Sequence, residues 1–90
     1  MWEIRHRKAF YKELSKLPAA VRGQIEEVAF SDTLKEDPFG KEKLERLKGY
    51  KEFYKMRFGN YRVGLKIDRK EKKIEFRRAL HRKDIYRYFP

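Results

Sequence analysis

Cysteine is absent from this chain, and the absence removes two classes of structure at once: no disulfide can staple the fold and no thiolate can hold a metal. Histidine is nearly as scarce. His6 and His81 are too few and too far apart in sequence to point to a metal by themselves. No apolar run approaches the length of a membrane span, and the start, Met-Trp-Glu-Ile-Arg-His-Arg-Lys, lacks the apolar centre of a signal peptide. These features predict a cytoplasmic protein with no membrane association, and no cofactor is expected. There is also no repeat, linker or low-complexity tract, so the 90 residues read as one domain, residues 1–90, with one modest core.

Acidic residues are missing where they would balance the basic ones. Residues 1–40 hold 7 Lys/Arg and 7 Asp/Glu, whereas residues 41–90 hold 18 and 7, so the whole net charge of +11 lies in the second half. Such one-sided charge marks a nucleic-acid binder, or a protein held by an acidic partner. An ion-rich thermophilic surface would account for the 43% of charged residues, but not for their sign.

What is present is organised around Phe53 to Leu65, which has the pattern of a β-hairpin turning at Gly59-Asn60. Both turn residues tolerate positive φ, so a two-residue primed turn fits. It pairs Phe58 with Tyr61, Arg57 with Arg62, Met56 with Val63, Lys55 with Gly64 and Tyr54 with Leu65. Opposed residues share a face. One face is therefore apolar, and the other brings Lys55, Arg57 and Arg62 together with no carboxylate among them. Like charges placed opposite each other cost stability, so the arrangement invites a polyanion.

The flanking segments supply the rest of the fold. Trp2-Glu3-Ile4-Arg5 alternates as a short first strand. Phe10, Leu14 and Leu17 form one stripe of a helix that must stop at Pro18. Pro18 then opens a second helix with Val21, Ile25, Val28 and Ala29 on its apolar face, ending before Asp37-Pro38. Asp37-Pro38-Phe39-Gly40 is a loop, and residues 43–49 form a short edge strand leading into the hairpin. After the polar turn Arg69-Lys70-Glu71-Lys72, a last strand runs from about Lys73 to Leu80. Strict alternation turns Ile74, Phe76, Arg78 and Leu80 inward and Glu75, Arg77, Ala79 and His81 outward. A buried Arg78 is awkward, so either a bulge resets the register or Arg78 reaches past the rim. Residues 81–90 form a short helix or tail whose aromatics lie near the basic face. The order β-α-α-β-β-β predicts an α+β fold, with two antiparallel helices packed on a curved antiparallel sheet of three to four strands.

Several blocks of this sequence, in this order, resemble the RelE/ParE superfamily of bacterial and archaeal toxins, and its RelE branch above all. They are the Phe-x-x-x-Leu-x-x-Leu-Pro helix, Leu47-Lys48-Gly49, Tyr54-Lys55-Met56-Arg57-x-Gly59-x-Tyr61-Arg62-Val63 and His81-Arg82-Lys83-Asp84-Ile85-Tyr86. The resemblance covers nearly the whole chain. It implies a type II toxin that acts as a ribosome-dependent endoribonuclease, cutting messenger RNA in the ribosomal A site and stopping translation. It also implies an acidic, RelB-like antitoxin as partner, and a +11 protein suits an acidic segment that folds on binding.

Cutting RNA without a metal requires removal of the 2′-hydroxyl proton, stabilisation of charge on the pentacoordinate phosphate, and protonation of the leaving 5′-oxygen. Fixed cations around the phosphate supply much of such catalysis. Lys55, Arg57 and Arg62 match the family's active-site cations, with Arg62 assigned to the phosphate. Crowding by two arginines drives Lys55 towards its neutral form, which suits a proton acceptor. Arg82 matches a later family arginine and Tyr86 a tyrosine that stacks on a base or orients the phosphate. His81 is a candidate general acid. The family's late strand carries one arginine; position favours Arg78 and alternation favours Arg77. Arg77, Lys48, Lys51 and Lys83 are candidate RNA contacts. An isolated strand cation is most often merely solvated, so the convergence of three carries the argument. Phe89, Tyr50, Tyr54 and Tyr61 read as packing residues. Two other functions fit the same scaffold: a ParE-like poison of DNA gyrase, which the Lys55/Arg57/Arg62/Tyr86 set disfavours, and an RNA- or ribosome-binding module that does not cut.

Overall fold

A computed structural model describes residues 1–40 and 43–90. Strand β1 (Glu3–His6) is followed by helices α1 (Lys8–Leu14), α2 (Ala19–Ala29) and α3 (Thr33–Glu36), then by strands β2 (Glu45–Arg46), β3 (Phe53–Phe58), β4 (Tyr61–Asp68) and β5 (Lys73–His81), and by the short helix α4 (Ile85–Tyr88). The strands form one sheet in the order β1-β5-β4-β3-β2. All neighbours are antiparallel except β1 and β5, which run parallel. The sheet is therefore mixed, with one strand more than the pattern suggested. The helical crossover between β1 and the later strands allows the parallel pair.

Proline punctuates the helices as its chemistry requires. Pro18 caps α2 at φ −55°, and its carbonyl accepts the first helical hydrogen bond, from Arg22 N at 2.9 Å. Phe10 and Leu14 of α1, Ile25 and Ala29 of α2, and Leu34 of α3 bury against Tyr54, Met56, Val63, Leu65, Ile67, Ile74, Phe76 and Ala79. Burying the larger of these side chains contributes about 1.5–3 kcal/mol each. His6 ties β1 into the same layer. Its Nε2 donates to the Ala29 carbonyl at 2.8 Å, and its ring packs 5.2 Å from Phe76 and 4.7 Å from Phe30.

The hairpin register is the one its alternation dictates, from Phe58 opposite Tyr61 to Tyr54 opposite Leu65. At the turn, positive φ falls on Gly59 (58°) and not on Asn60, as in a turn with glycine at its first central position. On β5, strict alternation gives way to a bulge. Gly64 faces Arg78 while Leu65 faces Phe76, so Arg77 is the extra residue. Beyond it the faces exchange: Ala79 enters the core, Leu80 turns outward opposite Arg62, and His81 moves to the face of Tyr61. The expected inward Leu80 and outward Ala79 and His81 are corrected by this one residue.

The C-terminal segment covers part of the sheet face opposite the helices. Ile85 and Phe89 form a second small core with Leu47, backed by Phe53 and Leu80. Phe89 lies over Gly64 so closely that a Cβ there would come within 2.8 Å of the ring. Gly64→Ala should therefore cost about 1–3 kcal/mol by overpacking, measured by urea unfolding, and much less in a Phe89→Ala background. Equal costs in the two backgrounds would show that the ring is not the obstacle.

Candidate active site

The face that α4 leaves open carries the basic side chains of the hairpin. Lys55 and Arg57 project from β3 and Arg62 from β4, and together with Glu45 of β2 they line a cleft of about 170 Å³. Arg62 is held in place by the turn beside it, its Nη1 donating to the carbonyls of Gly59 at 2.7 Å and Tyr61 at 2.9 Å. Arg57 is exposed. Lys55 donates through Nζ to the Tyr86 hydroxyl and lies 4.9 Å from the centre of that ring. Tyr86 is itself 63% exposed, whereas its neighbours Ile85 and Phe89 are buried. The tail thus anchors on two apolar residues and presents the tyrosine between them.

The cleft contains a carboxylate, contrary to the expectation of a purely cationic site. Glu45 stands directly opposite Lys55 in the β2–β3 register, and its Oε2 lies 3.8 Å from Lys55 Nζ. Only two residues of β2 pair, too few for alternation to reveal which of them faces the cations. Lys55 is accordingly an ion-pair partner as well as a neighbour of arginines.

The other candidate residues are dispersed. The Arg78 guanidinium forks onto Glu13 of α1, with Nε 3.0 Å from both carboxylate oxygens, and its Nη1 donates to the Tyr88 carbonyl at 3.2 Å. Hydrogen bonding to Glu13, against the cost of burial, raises its proton affinity further. Glu13 also accepts the Ala79 N–H at 3.0 Å. His81 packs edge-on against Tyr61 at 5.3 Å, and its Nδ1 accepts the Lys83 N–H at 3.1 Å. Arg77 Nε donates to Glu75 Oε1 at 2.5 Å. Arg82 and Lys83 are exposed on the turn after β5, where Arg82 N donates to the Asn60 carbonyl at 2.8 Å. Lys48 and Lys51 are exposed between β2 and β3. The structure therefore gathers Lys55, Arg57, Arg62 and Tyr86, and holds Arg77 and Arg78 in ion pairs elsewhere. Tyr54 is buried in the core, while Tyr50 is half exposed and meets the Phe53 ring edge-on at 5.6 Å. Among the described residues no three His, Asp or Glu side chains gather as a metal-binding group, and no helix is long and apolar enough to cross a membrane.

Over 87 residues, 92% of this chain and 93% of the relative, the sequence is 40% identical to toxin RelE3 of Methanocaldococcus jannaschii. This chain belongs to the RelE toxin family. Solved RelE structures share its fold. The RelB–RelE antitoxin–toxin complex from Methanococcus jannaschii matches with a TM-score of 0.78 and 35% identity, covering 96% of this chain and 99% of that one. The archaeal RelE–RelB complex from Pyrococcus horikoshii matches with a TM-score of 0.70 and 27% identity, covering 90% and 94%. No family model matches the sequence. Within the RelE scaffold of this chain, Glu45 and Glu13 are the participants that sequence patterning missed. Glu13 carried a signal, since it sits three residues after Phe10 on a helix whose apolar stripe faces the sheet.

Glu75 offers a pH test of the cationic face. Burial alone would raise its carboxyl, but hydrogen bonds and charge from Arg77 and Arg7 prevail and hold it below the ordinary value of 4.5. A carboxyl depressed on folding stabilises above that value, and the contribution is lost as pH falls through the folded value. The gap in melting temperature between wild type and Glu75→Gln should be widest near neutrality and should narrow below about pH 4.5. A gap that stays constant into strong acid would remove this role.

Proposed function

We propose that this RelE-family chain is a toxin that acts as a ribosome-dependent, metal-independent endoribonuclease, cutting messenger RNA in the A site and so stopping translation. The observation that carries the proposal is the cleft in which Lys55, Arg57 and Arg62 converge beside Tyr86. A phosphate entering it would meet two guanidinium groups, one of them already fixed by the Gly59–Tyr61 turn. Positioned cations of this kind stabilise charge that builds up in a transition state and need no rearrangement to do so. Within the Lys55–Glu45 pair the carboxylate of Glu45 is the group able to take the 2′-hydroxyl proton, attack of that oxygen on phosphorus breaks the bond to the 5′-oxygen, and the Lys55 ammonium can protonate the departing oxygen. Tyr86, free on one side, is suited to stack on a base or to orient the phosphate. His81, on the Tyr61 face, is the more remote candidate for proton donation. The site works in the cytoplasm, where ribosomes are.

The partner we propose is an acidic RelB-like antitoxin, supported by the net charge of +11 and by the antitoxin–toxin complexes in which related RelE chains were solved. A gyrase poison would have no use for a cleft of three cations beside a presented tyrosine, so the nuclease reading is preferred.

The test is a translation extract programmed with a defined message, with 5′ ends mapped by primer extension for wild type and Arg62→Ala and with naked RNA as control. Ribosome-dependent cuts at A-site codons should fall by about 100-fold or more in the variant. An intact message with folded wild-type protein would sink the nuclease assignment.

A further inference from the structure

On the face that carries the cleft, a second basic groove of about 180 Å³ crosses β1, β5 and β4. The strand pairings set Arg5, Glu75 and Lys66 in one row across it. Arg7, Lys73 and Arg77 complete its basic lining, so five cations face two carboxylates, Glu75 and Asp68. Glu75 engages two of the arginines through their inner nitrogens: Arg77 Nε donates to one of its oxygens at 2.5 Å and Arg7 Nε lies 3.2 Å from the other. Engagement through Nε leaves the terminal nitrogens of both forks without a hydrogen-bond acceptor among the described residues. Arg5 has a second carboxylate in Glu3. Asp68 accepts the Glu71 N–H at 3.0 Å.

A purely structural ion-pair ladder would balance its charges. This one instead carries surplus positive charge and fixes two guanidinium forks by their inner nitrogens, the arrangement that suits bidentate recognition of phosphate. The groove is also aligned with the cleft. Lys66 and Arg62 project from the same face of β4 four residues apart, about 13 Å at the usual strand rise. Between them Phe89 covers Gly64, and Arg7 and Arg77 also line the recess beside Tyr88 and Phe89, so the positive surface borders the tail. An anion with regularly spaced charges can reach both sites.

We infer that this groove is a second phosphate-binding site, taking a backbone phosphate of the same RNA strand whose scissile phosphate enters the Lys55/Arg57/Arg62 cleft. The choice of RNA as occupant rests on the function proposed above; an acidic protein segment is the competing occupant. Arg7 and Arg77 are its fixed forks, and Lys66 and Lys73 supply further charge.

The test is equilibrium binding of the whole chain, without ribosomes, to a single-stranded oligoribonucleotide long enough to span both sites and to a dinucleotide that fills only the cleft. Arg7→Gln/Arg77→Gln and, separately, Lys66→Gln/Lys73→Gln are compared with wild type across a salt series. The second pair leaves the Arg–Glu75 contacts intact, so a fold defect in the first cannot hide the answer. Each pair should weaken the long oligomer about tenfold and lower the slope of log affinity against log salt by about 0.7 for each phosphate no longer neutralised. Dinucleotide binding should stay unchanged. An unaltered slope for the long oligomer in both pairs would overturn the site. So would loss of poly-glutamate binding with RNA binding intact, which would mark an acidic protein as occupant. Because the readout is affinity, absence of message cleavage in the translation assay would refute the nuclease reading without altering this result.

Discussion

A single carboxylate on α1 closes the part of β5 that β1 is too short to pair. β1 ends opposite Phe76, and just beyond it Glu13 accepts the Ala79 N–H and grips the Arg78 guanidinium. That grip coincides with the bulge at Arg77, where the inward and outward faces of β5 exchange. Ala79 can therefore enter the core, Leu80 can meet the tail, and the cationic face carries only α4 of the helices. An isolated buried charge would be costly, whereas this pair is hydrogen-bonded on both partners and only partly shielded from water. Much of the division of labour between the two faces follows from it.

The sequence showed some parts of this structure clearly and concealed others, for identifiable physical reasons. The hairpin was legible because its side chains alternate across the five pairs from Phe58–Tyr61 to Tyr54–Leu65 and its turn contains glycine where positive φ is needed. The first two helices announced themselves through apolar spacing and Pro18, but the second ends at Ala29 and a separate α3 occupies the stretch before Asp37-Pro38 that the sequence pattern joined to it. The faces of the last strand were not legible, because a bulge of one residue inverts everything after it, beside a contact with a helix 65 residues away in sequence. The parallel partnership of β1 with β5 is equally non-local. Of the candidate site, Lys55, Arg57, Arg62 and Tyr86 could be found from the hairpin register and the family pattern. Glu45 could not, since the strand bearing it is two residues long.

Charge tells a similar story at larger scale. The basic excess belongs to the second half of the chain, yet the groove across β1 draws Arg5 and Arg7 from the balanced first half. Folding thus assembles a more uniform electrostatic face than the linear distribution suggests, and its two basic depressions are separated by the Phe89 plug. Long-range attraction of this kind chiefly accelerates encounter and weakens with salt.

The placing of Tyr86 between the anchors Ile85 and Phe89 has a thermodynamic side. A side chain that must be ordered when its ligand arrives subtracts that lost freedom from the affinity, by about 0.5–1.5 kcal/mol for a rotamer-rich group. Here the flanking residues are sequestered when the chain folds, and Lys55 already steadies the hydroxyl. For any ligand that stacks on Tyr86, the ordering cost would thereby be transferred from association to folding, with the tail as a preorganising clasp for the ring it leaves at the cleft.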